Sequence, residues 1–257
     1  MDNKDVALKV AEELFHDLDP TAVDRWMVPD YRQHNPTIAD GRDGLRAAIT
    51  TLAALAGGTR FEPLRVIGDG DQVAVVGVYH HLNSPEPLFA FDLYRFDQGR
   101  PAEHWDALAP LGTRSASALS GGGLAGPADG TADTEANRAL VVEFAQRVLS
   151  EADYSLLSHY VSGETARSSL APGTRAVSTP VWWPPHQQAA GPGHDPVYKV
   201  VHKVVAEGDL VLAQSEGELG VPVAIWDLFR VADGAIVEHW DIINPVPTDA
   251  AHTNGLF

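Results

Sequence analysis

Two short runs in the 257-residue chain have the residue types to move protons. They are His104-Trp105-Asp106 with Asp92 upstream, and His239-Trp240-Asp241 with Asp227 upstream. An imidazole among carboxylates is the material of general acid–base catalysis. Neutral His104 held by Asp92 can take or give a proton, and burial raises the pKa of a carboxyl such as Asp106 into a useful range. Gln33-His34-Asn35 adds polar groups able to orient a carbonyl or an enolate. Nothing offers an activated nucleophile: there is no cysteine. Gly68-Asp69-Gly70-Asp71 lacks the lysine and the helix of a phosphate loop and reads as a turn. A His34/His104/Asp92 metal triad is geometrically conceivable, but no ligand-spacing motif supports it, so neither metal nor cofactor is expected. His80-His81 point to opposite faces of a strand and read as structural.

The elements that must position these groups follow from local pattern. Reading Ala232-Asp233-Gly234 as a three-residue hairpin loop pairs Val231 with Ala235, sets Asp227 opposite His239 and, by analogy, Asp92 opposite His104. Alternation then puts Asp106 and Asp241 on the same face as their histidines. Phe91 meets Trp105, and Trp226 meets Trp240, on the other face, which also holds Arg95/Glu103 and Arg230/Glu238. The aromatic face is expected to pack sheet on sheet, leaving the Asp/His face to a pocket; a one-residue shift in register would exchange the two. A plainer reading makes Asp92 and His104 a self-satisfying cross-strand pair, and has His34 cap a turn before Pro36 beside an Asx-type bend at Asn35.

A duplication organises the rest. Nine of the 21 positions of Ala90–Pro110 recur in Ile225–Pro245 without a gap. A period this long means repeated domains. The Gly- and Ser-rich stretch between them suggests domain one over 1–112, a flexible linker over 113–133 and domain two over 134–257. Each copy opens with an amphipathic helix (Val6, Val10, Leu14, Leu18; then Leu140, Val141, Phe144, Val148), with Asn3 and Thr134 as candidate caps. Four strands follow in each: Phe61–Gly68, Val73–Leu82, Leu88–Phe96 and Ala102–Ala109, then Tyr198–Ala206, Val211–Leu219, Val223–Val231 and Ala235–Ile243. This is an α+β pattern. The middles differ. Domain one has a helical run through Leu45, Ile49 and Leu52, whereas domain two has a proline-rich stretch bearing Trp182, Trp183 and His186, which suits a lid or core filler.

The formal charge of −17 excludes a basic nucleic-acid surface and disfavours an anionic membrane. With no signal-like or membrane-spanning run, a cytoplasmic protein is expected.

Tyr31-Arg32-Gln33-His34-Asn35-Pro36, Asp92-Leu93-Tyr94-Arg95-Phe96 and Glu103-His104-Trp105-Asp106 together resemble the SnoaL-like branch of the nuclear transport factor 2-like superfamily. The second copy adds Asp227-Leu228-Phe229-Arg230-Val231, the Asp233-Gly234 turn, Glu238-His239-Trp240-Asp241 and a closing Asn254-Gly255-Leu256-Phe257. The resemblance implies two tandem cone-shaped α+β barrels, each with an apolar pocket, packed as an intramolecular pseudo-dimer in a monomeric chain. In the family's polyketide cyclases a late-strand aspartate serves as acid/base in an intramolecular aldol closure, without metal or cofactor. The implied activity is cyclisation, aldol condensation, isomerisation or dehydration of an apolar or polyketide-like molecule in secondary-metabolite biosynthesis. Epoxide opening and a non-catalytic ligand-binding module are the alternatives. Asp106, His104, Asp92 and His34 are the expected catalytic residues. Gln33, Asn35, Tyr31 and Tyr94, with Trp182, Trp183, His186, Asp227, His239 and Asp241, are the expected substrate contacts. Domain one keeps Gln33-His34-Asn35 and is expected to carry more of the chemistry.

Overall fold

The computed structural model describes residues 1–55, 58–111, 124, 128–164, 166, 170 and 196–257. Trp182, Trp183, His186 and most of the expected linker lie outside these residues.

The chain begins with α1 (Asn3–Val10), which runs directly into a π-helical turn, Ala11–His16. Asp2, not Asn3, caps α1, through a reciprocal pair of bonds with Asp5. Leu18, at φ 55°, ends the turn. Then come α2 (Ala22–Trp26), the two-residue strand β1 (Arg32–Gln33) and α3 (Gly41–Ala54). Four long strands follow: β2 (Arg60–Asp69), β3 (Gln72–His80), β4 (Leu88–Asp97) and β5 (Arg100–Pro110). The second half repeats the plan with α4 (Thr134–Phe144), capped by Asp133 where the sequence suggested Thr134, and a π-helical turn Ala145–Ser150. Ala152 repeats the φ of 55°. After a 3-10 turn, α5 (Leu157–Tyr160) leads through residues not described to β6 (Val197–Glu207), β7 (Leu210–Glu218), β8 (Pro222–Ala232) and β9 (Ala235–Pro245).

The sheets run β1-β5-β4-β3-β2 and β6-β7-β8-β9, and neither closes on itself, so the expected barrels are open curved sheets. Closure is replaced by cover: α1, the π-helical turn, α2 and α3 bury Val6, Val10, Leu14, Val23, Leu45 and Ile49 against one face of the first sheet. The opposite faces of the two sheets share an apolar layer that includes Phe89, Phe91, Leu93 and Trp105 from one and Leu212, Trp226, Leu228 and Ile242 from the other. The aromatic face is therefore the packing face.

The hairpins correct the sequence reading. Gln98-Gly99 (φ 48° and 76°) and Asp233-Gly234 (φ 51° and 74°) form two-residue turns with both residues in the left-handed region, the type that matches strand twist. The shorter loop slips the register by one residue, and a bulge after Arg95 or Arg230 slips it by another. Asp92 consequently faces Asp106, and Asp227 faces Asp241, with Tyr94 and Phe229 opposite the histidines. Phe91 faces Ala107 and Trp226 faces Ile242; the tryptophans of β5 and β9 face Leu93 and Leu228. Because the total slip is even, every side chain stays on its expected face.

Two sets of polar contacts between the halves are reciprocal. Lys4 on α1 bonds Glu207 at 2.6 Å, and Glu207 accepts Gly68 N–H at 2.7 Å. Arg138 on α4 bonds Asp69 at 2.8 Å, and Asp69 accepts Ala206 N–H at 3.2 Å.

Trp226 is fully buried in the shared layer and stacks over Phe91 at 6.3 Å. Trp226→Ala should cost about 3–5 kcal/mol in denaturant unfolding. A loss below 1 kcal/mol would mean that the sheets do not depend on this layer.

Candidate active site

The site is built on β1, the loop after it and the β4–β5 hairpin. β1 lies parallel to β5, pairing Gln33 with His104, and His34 N–H extends the ladder to the His104 carbonyl at 2.9 Å. Pro36 removes the next donor, and Asn35 makes the bend: its Oδ1 accepts Thr37 N–H and Oγ1–H at 2.8 and 2.7 Å. That fixes the amide, so Asn35 Nδ2 donates to both oxygens of Asp106, at 3.0 and 2.8 Å.

The Gln33 amide is fixed in the same way. Its Oε1 accepts His34 N–H at 2.9 Å and Asn35 N–H at 2.8 Å, so the group is oxygen. The third contact on that oxygen is His104 Nδ1, at 3.2 Å. An amide oxygen only accepts, so Nδ1 carries a proton. The other nitrogen, Nε2, lies 3.1 Å from Asp92 Oδ1, so one further proton sits between imidazole and carboxylate. Asp92 Oδ2 accepts the Tyr79 hydroxyl at 3.1 Å. Burial, with Asp92 adding to it, pushes the Tyr79 phenol well up, so it remains a donor. Tyr94 stacks on the His104 ring at 4.6 Å.

Asp106 faces this pair across the hairpin. Loss of hydration raises its pKa to about 6, with Asp92 adding to the rise and His104 and Asn35 opposing it. It borders a cavity of about 340 Å³, whose other walls include Phe15, Ile38, Leu52, Leu55, Tyr79 and Leu108. Asn35, Thr37, Thr51, Asn83 and Asp92 give the lining its few polar groups. On its other side Asp106 borders a crevice of about 20 Å³ with Asn35, Asn244, Trp226 and Leu256. The cavity has the size and character of a small-molecule site.

Several sequence expectations are relocated. His34 is not part of the acid cluster: its ring stacks on Trp105 at 4.3 Å and bonds Glu103 and the Gly255 carbonyl at 3.0 and 2.9 Å. Burial, chiefly, holds its imidazole below the ordinary histidine range, against the pull of Glu103 and that carbonyl. The group able to surround a cation is Asp92, His104 and Asp106 rather than a triad with His34. In it both His104 nitrogens are already engaged. Gln33, Tyr31 and Tyr94 are buried behind the cavity rather than lining it: Gln33 Nε2 donates to the Tyr31 hydroxyl at 3.1 Å, and the Tyr94 hydroxyl has no partner among the described residues. Of the expected substrate contacts in the first half, Asn35 alone lines the cavity.

Tyr79 escaped the sequence reading because its counterpart does not align. In the second half His239 Nε2 lies 2.9 Å from Asp227, and the hydroxyl on Asp227 comes from Tyr198 at 2.7 Å. Phe61 pairs with Tyr79, and Tyr198 pairs with Gly217. The tyrosine has therefore crossed to the partner strand at one paired position, and its hydroxyl meets the same carboxylate. Asp241 is buried opposite Asp227.

The SnoaL-like domain model matches residues 10–104, which span β1 to β4 and the start of β5. This stretch is a SnoaL-like domain. No curated protein matches the chain in sequence. Among solved structures, TsrD from Streptomyces laurentii is similar at 22% identity over 41% of this chain and 89% of its own, with a TM-score of 0.36. A SnoaL-like polyketide cyclase from Agrobacterium tumefaciens is similar at 15% identity over 42% of this chain and 91% of its own, TM-score 0.36. A protein of ketosteroid isomerase-like fold from Catenulispora acidiphila, in complex with trimethylamine, shows 18% identity over 38% of this chain and 82% of its own, TM-score 0.34. No helix among the described residues is long and apolar enough to cross a membrane.

The Asp106 carboxyl has a signature in stability. Its pKa rises from 3.8 to about 6 on folding, so the folded state pays for the carboxylate above pH 6 and is relieved as pH falls below 4. Asp106→Asn should therefore stabilise the protein by roughly 2–3 kcal/mol at pH 8 and by little at pH 4. Equal effects at both values would show that Asp106 titrates as an ordinary carboxyl.

Proposed function

We propose that the N-terminal half is a small-molecule enzyme in which Asp106 is the general base, acting without metal or cofactor on an apolar carbonyl compound. The observation that carries this reading is a carboxyl titrating at about 6 that faces an apolar cavity of about 340 Å³. At neutral pH the group is mostly ionised, weakly solvated and basic enough to take a proton from carbon next to a carbonyl. The C–H pair moves toward the carbonyl oxygen as an enolate, and the proton rests on Asp106. The Asn83 amide lines the same cavity and offers a donor for that oxygen. Return of the proton at another carbon is an isomerisation; attack of the enolate on a second carbonyl is a ring-closing aldol, in which the new alkoxide takes the proton held on Asp106. His104, Asp92 and Tyr79 hold the floor and set the field around Asp106. The family match supports chemistry of this general kind, and a polyketide-like substrate in secondary-metabolite biosynthesis fits the cavity's character.

The repeated elements are read as two SnoaL-like domains, about 1–112 and 134–257, joined by a linker. The reciprocal Lys4–Glu207 and Arg138–Asp69 pairs and the shared aromatic layer support a pseudo-twofold arrangement in which one chain stands in for a dimer. The acid pair of the second domain is kept, but Gln33-His34-Asn35 is not, so domain one is assigned the larger part of the chemistry.

The test needs no knowledge of the natural substrate. Exchange of the α-hydrogens of an apolar cyclic ketone for deuterium should be catalysed by the protein, with a rate rising through a midpoint near pH 6. Asp106→Asn should lower it about 100- to 10,000-fold and remove that midpoint, whereas Asp241→Asn should have much less effect. The reverse ordering would move the reaction to the second domain. Tight ketone binding without exchange would make the protein a ligand-binding module. Light scattering should give the mass of one chain; an obligate dimer would defeat the pseudo-dimer.

A further inference from the structure

The segment after β9, Asp249–Phe257, leaves the second sheet and lies on the loop that carries Gln33 and Asn35. Ala251 N–H donates to the Pro36 carbonyl at 2.8 Å, and His252 Nε2 to the Asn35 carbonyl at 2.9 Å. Asn254 Nδ2 donates to the Gln33 carbonyl at 3.0 Å and to Asp40 Oδ1 at 2.6 Å. The same Asp40 oxygen accepts Gln33 N–H at 3.0 Å, so Asn254 and Asp40 hold both polar groups of the Gln33 backbone. The Gly255 carbonyl accepts from His34 Nδ1 at 2.9 Å. Beyond it the segment is anchored back on the second sheet. Gln214 Nε2 donates to the Leu256 carbonyl at 2.8 Å, and the Phe257 ring stacks on His202 at 4.4 Å. Leu256 also closes the small crevice that borders Asn35 and Asp106.

We infer that this C-terminal segment is a positioning element of the first domain's acid site, with Asn254 and His252 as its positioning residues, and that the site is incomplete without the second domain. β1 has only two residues in the ladder, and Pro36 withdraws a backbone donor immediately after it. Local bonds set the orientation of the two amides, but so short a strand has few ladder bonds to hold the backbone that carries them. The segment supplies further partners: it binds the carbonyls of Gln33 and Pro36, and adds a second donor on the Asn35 carbonyl beside the Ile38 N–H at 3.1 Å. Gln33 fixes the proton of His104 and Asn35 bonds Asp106, so the segment acts on the acid site through them and touches no substrate. The second domain thereby has a use for the first that does not require turnover in its own cavity.

The inference rests on the reading of Asp106 as the working acid, but its test reads geometry rather than turnover. The full chain is compared with a variant lacking Thr248–Phe257 and with Asn254→Ala. In both, exchange of the His34 and Asn35 amides should speed up, at least tenfold in the truncation, while amides of β8 keep their protection. The Asp106 carboxyl, followed by carbon NMR, should titrate lower than about 6 as water enters the crevice. A synthetic peptide of Thr248–Phe257 added to the truncated protein should restore both readouts. Unchanged exchange and an unchanged midpoint would overturn the inference. If the truncation unfolds, Asn254→Ala alone decides by the same two readouts. A loosened site in a protein whose Asp106→Asn variant still exchanges ketone hydrogens would sink the base assignment and leave the positioning role standing.

Discussion

One amide oxygen organises the site. Gln33 Oε1 accepts from two successive backbone N–H groups and from His104 Nδ1, three donors on a buried atom. Hydrogen bonds in such surroundings are costly to leave unmade, so the arrangement is specified rather than merely allowed. From it follows the order of protons across the sheet. Nδ1 of His104 is committed to Gln33, Nε2 shares a proton with Asp92, and Asp92 takes a second donor from Tyr79. Asp92 and Asp106 both border the open cavity, and with Asp92 committed to His104 and Tyr79, Asp106 is the carboxyl left outside that chain.

The hairpin explains why such a network is needed. Asp92 and Asp106 stand directly opposite one another, where two like charges repel. The proton shared between Asp92 and His104 relieves that conflict; the elevated titration of Asp106 comes chiefly from its burial, with Asp92 adding to the rise. The second sheet meets the same conflict between Asp227 and Asp241 with the same imidazole, and it recruits its tyrosine from the neighbouring strand. That a hydroxyl reaches the same carboxylate by two routes argues that the tyrosine–aspartate–histidine chain is under constraint in both halves.

The sequence showed a good deal of this, for identifiable reasons. Strand alternation alone put Asp92, His104 and Asp106 on one face and Trp105 on the other. It survived an incorrect hairpin register because the slip was even. The partner assignments did not survive: Asp233-Gly234 suits a two-residue turn but was read within a three-residue loop, and Gln98 gives no such signal for its left-handed conformation. His34 was misplaced because β1 is too short to show a pattern: one residue beyond Gln33, its side chain turns to Trp105 and Glu103 instead of the acids. Gln33, Tyr31 and Tyr94 were expected to touch substrate but lie behind the cavity, because the depth of a buried polar residue is not written in strand pattern. The closing Asn254-Gly255 was legible as a shared motif, whereas its target, more than two hundred residues away in sequence, was not.

The tautomer of His104 tests the account most directly. Nitrogen NMR of the ring in the full-length protein should show Nδ1 protonated and hydrogen-bonded on the alkaline as well as the acid side of the Asp106 titration. That signal should be lost in Gln33→Leu. A ring carrying its single proton on Nε2 on the alkaline side, with Nδ1 bare, would contradict the proton order on which the role of Asp106 rests.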